Sequence, residues 1–201
     1  GAHVSAAPHA QTLRSTPLTT RGNVSFFGCL GYELDLKHLL PVEVAQIKIQ
    51  TAFYKQYREV FQFGTFRRMK NGWQVTMDGV TAAGVFHKLM DAAPGYEQLR
   101  LKGLDQNKTY RLRTRAQKIR VGQFAHLLKH VVPVKLNPEG TVLRTADKHY
   151  GLDDGVEGYH VSGAALSAGI RLIPMFRGTG YDKNQRTQGD YGSNLYIAEE
   201  E

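Results

Sequence analysis

An abrupt change of pattern near residue 62 constrains the fold of this chain more than any other feature. Before it, helix and strand signals alternate. Thr16 followed by Pro17 is typical of a helix start, and Tyr32–Leu36 alternates polar and apolar residues as a strand does. Pro41 can open a longer helix that stops at Gly64. Its predicted buried stripe has helical spacing and consists of Ala45, Ile49, Ala52, Phe53, Tyr57, Val60 and Phe61.

After this change the chain is rich in short β-type runs separated by turn signals such as Asn71-Gly72 and Asp78-Gly79. The predicted strands are Trp73–Met77, Val80–Lys88, Gln98–Leu101, Thr109–Arg115, Gly169–Phe176 and Ser193–Ile197. Dense short strands of this kind favour an antiparallel sandwich. The fold class is therefore α/β followed by all-β, with domains over 1–62 and 63–201.

The cysteine content indicates a reducing compartment, and we expect a cytoplasmic protein. Cys29 is the single cysteine, so no internal disulfide is available. We expect it to be a small buried apolar side chain. No apolar run approaches the length of a membrane span, and no signal-peptide pattern is visible. The chain opens at Gly1 without an initiator Met, which suggests a piece of a longer protein.

The net charge of +8 is concentrated in one stretch. Lys102–Lys148 holds eleven basic and three acidic residues, so the rest of the chain is neutral. Arg111, Arg113 and Arg115 alternate along a predicted strand and would share one face. We interpret them as a solvated face of the sheet rather than a nucleic-acid site, because no nucleic-acid motif accompanies the charge.

A metal site is not predicted. His126 and His130 are four residues apart and would share one face of a helix. No glutamate-containing partner motif accompanies them, and no cysteine–histidine cluster has zinc spacing.

Several motifs stand out along the chain: His3-Val4-Ser5-Ala6, Thr16-Pro17-Leu18, Phe27–Leu36, Gln62–Phe66, Leu99–Asp105, Phe176–Tyr181 and Gly189–Ser193. Taken in this order, they resemble motifs of bacterial family-36 α-galactosidases. The resemblance covers nearly the whole chain. It implies the last βα units of a (β/α)₈ barrel over 1–62, from the end of strand seven to helix eight, and a C-terminal β-sandwich over 63–201.

The resemblance also implies an activity and partners. The activity is retaining hydrolysis of α-galactosides such as melibiose and raffinose, without a cofactor. The expected partners are α-galactoside oligosaccharides, the N-terminal part of the same enzyme and further copies of it, commonly in a tetramer. Neither a membrane nor a nucleic acid is expected as a partner.

The candidate site residues are His3, Ser5, Glu33 and Asp35. The resemblance places the nucleophile and the acid/base, two aspartates, upstream of Gly1, so no catalytic residue is expected in this chain. Glu33 and Asp35 offer a rival catalytic pair, since two residues apart on a strand they would lie about 6.5–7 Å from each other on one face. Alternatively, these carboxylates cap a helix or bond to neighbouring loops. His3 and Ser5 would bind sugar hydroxyls, or carboxylates next to the site, at the mouth of the barrel. Alternatively, His3 satisfies local backbone groups.

Two other function classes remain open. One is a free-standing carbohydrate-binding or assembly module, which has no reason to keep two barrel helices. The other is a basic nucleic-acid-binding domain, which would show strongly salt-dependent oligonucleotide binding.

Overall fold

The computed structural model of the chain describes residues 2–88, 98–124, 140–153, 158–171 and 190–201. The α-helices are α1 (Leu18–Phe26), α2 (Pro41–Phe63), α3 (Thr141–His149) and α4 (Gly163–Ala168). Strands β1 to β6 are Ala2–Ser5, Leu30–Glu33, Thr65–Met69, Gly72–Met77, Val80–Phe86 and Gln98–Leu99. Strands β7 to β12 are Thr109–Thr114, Lys118–Arg120, Gly151–Asp153, Gly158–Ser162, Ile170–Arg171 and Ser193–Glu200.

The first part of the chain runs β1, α1, β2, α2, and β1 pairs with β2 in parallel. The pattern of the sequence predicted the helix, strand and helix that follow β1, while a strand end at β1 was implied only by the resemblance. Two boundaries differ from the prediction. Pro17, not Thr16, is the N-cap of α1, and it supplies no capping side chain. The strand β2 ends at Glu33 because Asp35 begins a short 3₁₀ turn over Leu36–His38.

Helix α2 begins at Pro41 and ends at the predicted Gly64 cap. The Leu40 N–H donates to Glu43 Oε2 over 2.9 Å, which closes the first turn. The predicted buried stripe is correct only in its C-terminal half, where Tyr57, Val60 and Phe61 are buried.

In the N-terminal half of α2 the stripe is wrong: Ala45, Ile49 and Ala52 are exposed, and Phe53 is half-buried. Gln50 and Tyr54 take the buried positions instead. Gln50 is tolerated there because its side-chain amide donates to Leu18 O over 3.2 Å and its Oε1 accepts from the Tyr32 hydroxyl.

A six-stranded sheet forms the centre of the molecule, with the order β10-β7-β12-β5-β4-β3 and antiparallel pairing throughout. The predicted strands that became β4, β5, β7 and β12 all lie in it. Sequence reasoning missed β3 and β10, its two edges. The last strand, β12, lies in the interior between β5 and β7.

Both faces of this sheet are covered. Leu195 and Ile197 of β12 pack with Phe26 of α1 and with the buried aromatic residues of α2. Tyr196 and Ala198 point to the other face and pack with Leu99, Leu101 and Leu166. The alternation along β12 thus fills two hydrophobic cores, one shared with the helices of the first part of the chain.

Smaller elements complete the second part of the chain. Antiparallel pairs form between β11 and β6 and between β8 and β9. The expectation of an all-β second part is wrong in one respect, since α3 and α4 both fall within 63–201. The antiparallel character of its main sheet agrees with the prediction.

The turn between β4 and β5 is the predicted Asp78-Gly79, and both residues have positive φ, 47° and 78°. This is the conformation of the two-residue hairpin turn for which Asp-Gly is preferred. We expect Gly79→Ala to lower the free energy of unfolding by about 1–2 kcal/mol, because an alanine side chain disfavours left-handed backbone. Urea unfolding followed by the fluorescence of Trp73, the single tryptophan, measures it.

Gly158→Ala is the matched control for this turn. A Cβ on Gly158 meets no atom within 4 Å and its φ is not in the left-handed region, so we expect a change within about 0.5 kcal/mol. Equal losses in the two variants would contradict the role of backbone conformation at Gly79.

Candidate functional site

The parallel pair of β1 and β2 brings three of the four predicted site residues to one edge. Its register aligns His3 with Gly31 and Ser5 with Glu33. The carboxyl ends of parallel strands meet at the same edge, and residues in register share a face. Ser5 and Glu33, the last residues of β1 and β2, therefore lie side by side at this edge, and His3 lies two residues earlier on the same face.

The two faces of this pair have different surroundings. Val4 is fully buried, and the hydroxyl of its register partner Tyr32 donates to Gln50 Oε1 on α2 over 2.9 Å. That face therefore contacts the helices. His3 and Glu33 are exposed and Ser5 is half-buried. These three residues alternate with Val4 and Tyr32, and so they lie on the face turned away from the helices.

The ring of His3 lies over Gly31. A Cβ added to Gly31 would come within 3.1 Å of His3 Nδ1, so a larger residue at position 31 would push the imidazole aside. The absence of a side chain at Gly31 therefore makes room for the imidazole ring of His3.

Asp35 has a local role that the strand-based prediction did not give it. It lies beyond the end of β2, so the spacing argument for a Glu33–Asp35 pair on one strand is wrong. Its Oδ1 accepts from the N–H of Lys37 over 3.0 Å, and its Oδ2 lies 2.8 Å from His38 Nδ1. The carboxylate caps the 3₁₀ turn, the alternative that the sequence left open.

Arg21 of α1 holds the loop that follows β1, and sequence reasoning missed it. Its Nη1 donates to Ser5 O, at the end of β1, and its Nε donates to Thr16 O over 3.0 Å. Burial lowers the pKa of Arg21, and Glu43 partly opposes that effect. One guanidinium thus joins the two ends of the loop and fixes where Ser5 leaves the strand.

A second polar cluster lies between the two parts of the chain. Asn23, fully buried on α1, donates to Ser193 Oγ over 2.8 Å and to Gln117 Oε1 over 3.0 Å. Its Oδ1 accepts from Arg115 Nε over 3.0 Å. Ser193 in turn donates to Thr20 Oγ1 over 2.9 Å. These contacts join α1 to β12 and to the segment after β7, and nothing in the local sequence signals them.

The three arginines Arg111, Arg113 and Arg115 do not form the solvated face that the sequence predicted; the first two lie on β7 and the third directly follows it. Arg111 is exposed, but Arg113 Nη2 donates to the Tyr57 hydroxyl of α2 and to Glu199 Oε2, the latter over 3.2 Å. Burial, followed by the neighbouring Glu199, raises the pKa of Tyr57. Arg115 is only 7% exposed. The prediction failed because alternation identifies a face but not the helix that covers it.

Cys29 is exposed, which corrects the expectation of a buried apolar side chain. Its sulfur lies 3.9 Å from Gln62 Nε2. It directly precedes β2, where the chain runs along the surface between α1 and the strand.

Within the described ranges, no group of three or more histidine, cysteine, aspartate or glutamate side chains is arranged to hold a metal ion. His126 and His130 lie outside the described residues. Among the helices of the described part of the chain, none has the length and apolar character needed to cross a membrane.

Two family models match the chain, in the order of its two parts. The model described as Melibiase matches residues 1–64, and the Glycosyl hydrolase family 36 C-terminal domain matches residues 73–198. Among curated proteins, the chain is 41% identical over 121 residues to α-galactosidase AgaA of Geobacillus stearothermophilus, covering 56% of this chain and 17% of that protein. It is 38% identical over 117 residues to α-galactosidase Mel36A of Lactobacillus acidophilus, covering 54% and 16%.

Solved structures match over the whole chain. The α-galactosidase from Lactobacillus brevis has a TM-score of 0.67 at 29% identity, and this chain covers 22% of it. A variant of AgaA from Geobacillus stearothermophilus, solved in complex with raffinose, has a TM-score of 0.66 at 29% identity and the same 22% coverage. The chain thus spans about a fifth of the length of the proteins that it matches.

Proposed function

The chain belongs to glycosyl hydrolase family 36, and we propose that it forms the C-terminal part of a retaining α-galactosidase. The proposed substrates are oligosaccharides with terminal α-galactosyl groups, of the melibiose and raffinose type. Two features support this: both family models match in order, and the curated relatives named above are α-galactosidases. Solved AgaA variants with raffinose and with stachyose support the substrate class.

The parallel β1–β2 pair, backed by α1 and α2, is the observation that carries this proposal. Two successive βα units are the repeat of a (β/α)₈ barrel, whose active site lies at the carboxyl ends of its strands. We assign residues 1–62 to the end of such a barrel and 63–201 to a C-terminal β-sandwich domain. A free-standing carbohydrate-binding or assembly module would not need a parallel sheet that has only two strands in the described part of the chain.

The proposed chemistry divides between this chain and an upstream part of the same enzyme. A retaining glycosidase needs two carboxyl groups about 5–5.5 Å apart, a nucleophile and an acid/base. We place both upstream of Gly1, on earlier strands of the barrel. His3, Ser5 and Glu33 would bind sugar hydroxyls at the rim, since they lie on the face turned away from the helices. Asp35 would support this rim by capping the following turn.

The same proposal fixes the expected partners. The N-terminal part of the enzyme would pair with the open sides of β1 and β2, and further copies would form a homo-oligomer such as a tetramer. No cofactor is needed for this reaction. The single cysteine is compatible with a cytoplasmic, reducing environment.

The full-length enzyme should hydrolyse p-nitrophenyl α-galactoside and raffinose, and substitutions at the rim should weaken it. We expect His3→Ala and Glu33→Gln each to lower kcat/KM by about tenfold, the loss of one hydrogen bond to bound sugar. Steady-state kinetics on both substrates measures this.

Glu59→Gln, on the exposed side of α2, removes the same charge as Glu33→Gln and should leave kcat/KM unchanged. An enzyme with no α-galactosidase activity would contradict the proposed function. Full activity in both rim variants would contradict only the assignment of the rim.

A further inference from the structure

A cavity of about 170 Å³ lies between α1, α2 and the segment that follows β7. Its polar lining residues are Thr19, Gln46, Gln50, Arg115, Gln117 and Lys118. A water molecule occupies about 30 Å³ in the liquid, so the space exceeds the needs of a single water. Two of the lining residues are basic and none is acidic, so the electrostatic potential of the cavity favours anions.

Arg115 is the unusual member of this lining. Its guanidinium donates to the side-chain oxygens of Asn23 and Gln117, both neutral, and its carbon lies 5.6 Å from the ring centre of Phe26. Among the described residues, no carboxylate forms an ion pair with it. Burial lowers the pKa of Arg115 to about 10, so the group still carries its charge at neutral pH. A buried charge without an opposite charge is costly to the fold.

The third guanidinium position is weakly satisfied. Among the described residues, Arg115 Nη1 has one hydrogen-bond acceptor, Ala116 O at 3.5 Å, which is at the limit of a hydrogen bond. A guanidinium carries five N–H donors in a planar fork that fits two oxygens of an anion side by side. Arg115, which lines the cavity, therefore has N–H donors at Nη1 that the described residues satisfy only weakly.

Helix α1 contributes to the same cavity. Thr19 in its first turn is a lining residue, and the N-cap Pro17 provides no side-chain hydrogen bond. The first turn of a helix carries partial positive charge and unpaired N–H groups. The amide of Gln46 adds a neutral group that can orient as a donor, while the Gln50 amide is held by Leu18 O and the Tyr32 hydroxyl.

We propose that this cavity is a binding site for a small oxyanion, held by Arg115 and assisted by the first turn of α1. The ligand supplies the negative charge that the described protein lacks beside the buried guanidinium. The cavity lies between the helices of the first part of the chain and the segment after β7, so the bound anion would contact both parts. None of the rim residues His3, Ser5 and Glu33 lines it.

Isothermal titration of the full-length protein with inorganic phosphate tests the proposal, at an ionic strength held constant with sodium chloride. We expect saturable binding with a Kd of about 1 mM or lower. Arg115→Gln should weaken it at least tenfold. Gln46→Glu should do the same while keeping Arg115 and its contacts, because the new carboxylate occupies and neutralises the site. A parallel titration with acetate distinguishes a tetrahedral oxyanion from a carboxylate as the preferred ligand.

Two controls carry the same charge changes elsewhere. Arg111→Gln removes an exposed arginine from the neighbouring strand β7, and Gln106→Glu adds a carboxylate to an exposed loop. Both should keep the wild-type Kd within about twofold. If Arg115→Gln does not fold, Gln46→Glu decides the outcome. Unsaturable binding of both anions up to about 10 mM, or equal weakening by the controls, would overturn the proposal.

Discussion

The 201-residue chain on its own is expected to show only background hydrolysis of p-nitrophenyl α-galactoside. Retaining hydrolysis needs one carboxylate to form the glycosyl intermediate and another carboxyl group to protonate the leaving oxygen. Glu33 and Asp35 are the only acidic residues in the first 40 positions, and Asp35 is engaged in capping a turn. With two strands of the proposed barrel present, the site also lacks the walls that exclude water and orient a sugar. The expected loss relative to the full-length enzyme is about a millionfold or more.

Complementation is the second half of this experiment. Supplying the upstream barrel segment, either covalently or as a separate polypeptide, should restore turnover. Far-UV circular dichroism of the isolated chain shows whether it is folded during the assay. If the purified chain alone turns over substrate and either Glu33→Gln or Asp35→Asn abolishes this, the catalytic groups have been assigned to the wrong segment.

Replacing Asn23 with leucine should destabilise the chain by about 3–5 kcal/mol, more than an ordinary surface change. Asn23 is fully buried and has Arg115, Gln117 and Ser193 as partners. Leucine has a similar size but leaves Arg115 Nε without its acceptor in a place that water does not reach. The loss of a partner to a buried charge dominates over any gain from the added apolar surface.

Urea unfolding followed by Trp73 fluorescence gives the magnitude, since this indole packs 5.7 Å from the Phe27 ring, which directly follows α1. Asn107→Leu makes the same change in an exposed loop and should stay within about 0.5 kcal/mol. A loss below about 1 kcal/mol in Asn23→Leu would mean that the polar cluster contributes little to joining α1 to the sheet.

Sequence reasoning predicted the secondary-structure elements that are specified by neighbouring residues, such as helix caps, apolar periodicity and turn sequences. Helix α2 was recognisable because Pro41, a regular apolar period and Gly64 mark its start, course and end. The β4–β5 hairpin was recognisable because Asp78-Gly79 suits one turn type. The edge strands β3 and β10 carry no such mark, since their pairing depends on neighbours supplied by the rest of the sheet.

The candidate site divides in the same way. The choice of His3, Ser5 and Glu33 came from the resemblance, which assigned their segments to ends of barrel strands, and the register of β1 with β2 aligns Ser5 with Glu33. The buried state of Arg115 was not predicted, because its partner Asn23 is 92 positions away. The sequence of α1 held one clue to this polar cluster: the helix contains an arginine, a glycine and several residues with hydroxyl or amide side chains. If such a helix is buried, its polar groups must find partners elsewhere in the chain.

The interior position of β12 has a consequence for how the protein is made. β5 and β7 do not touch in the sheet order, and residues 193–200 are what join them. During synthesis, β3, β4 and β5 leave the ribosome more than 100 residues before β12, which pairs with β5. Until β12 is made, the edge of β5 stays unpaired. A nascent chain released before Ser193 would hold two separate groups of strands, β3–β4–β5 and β7–β10. Only a chain translated through β12 can close this sheet, and products that end before Ser193 expose unpaired strand edges.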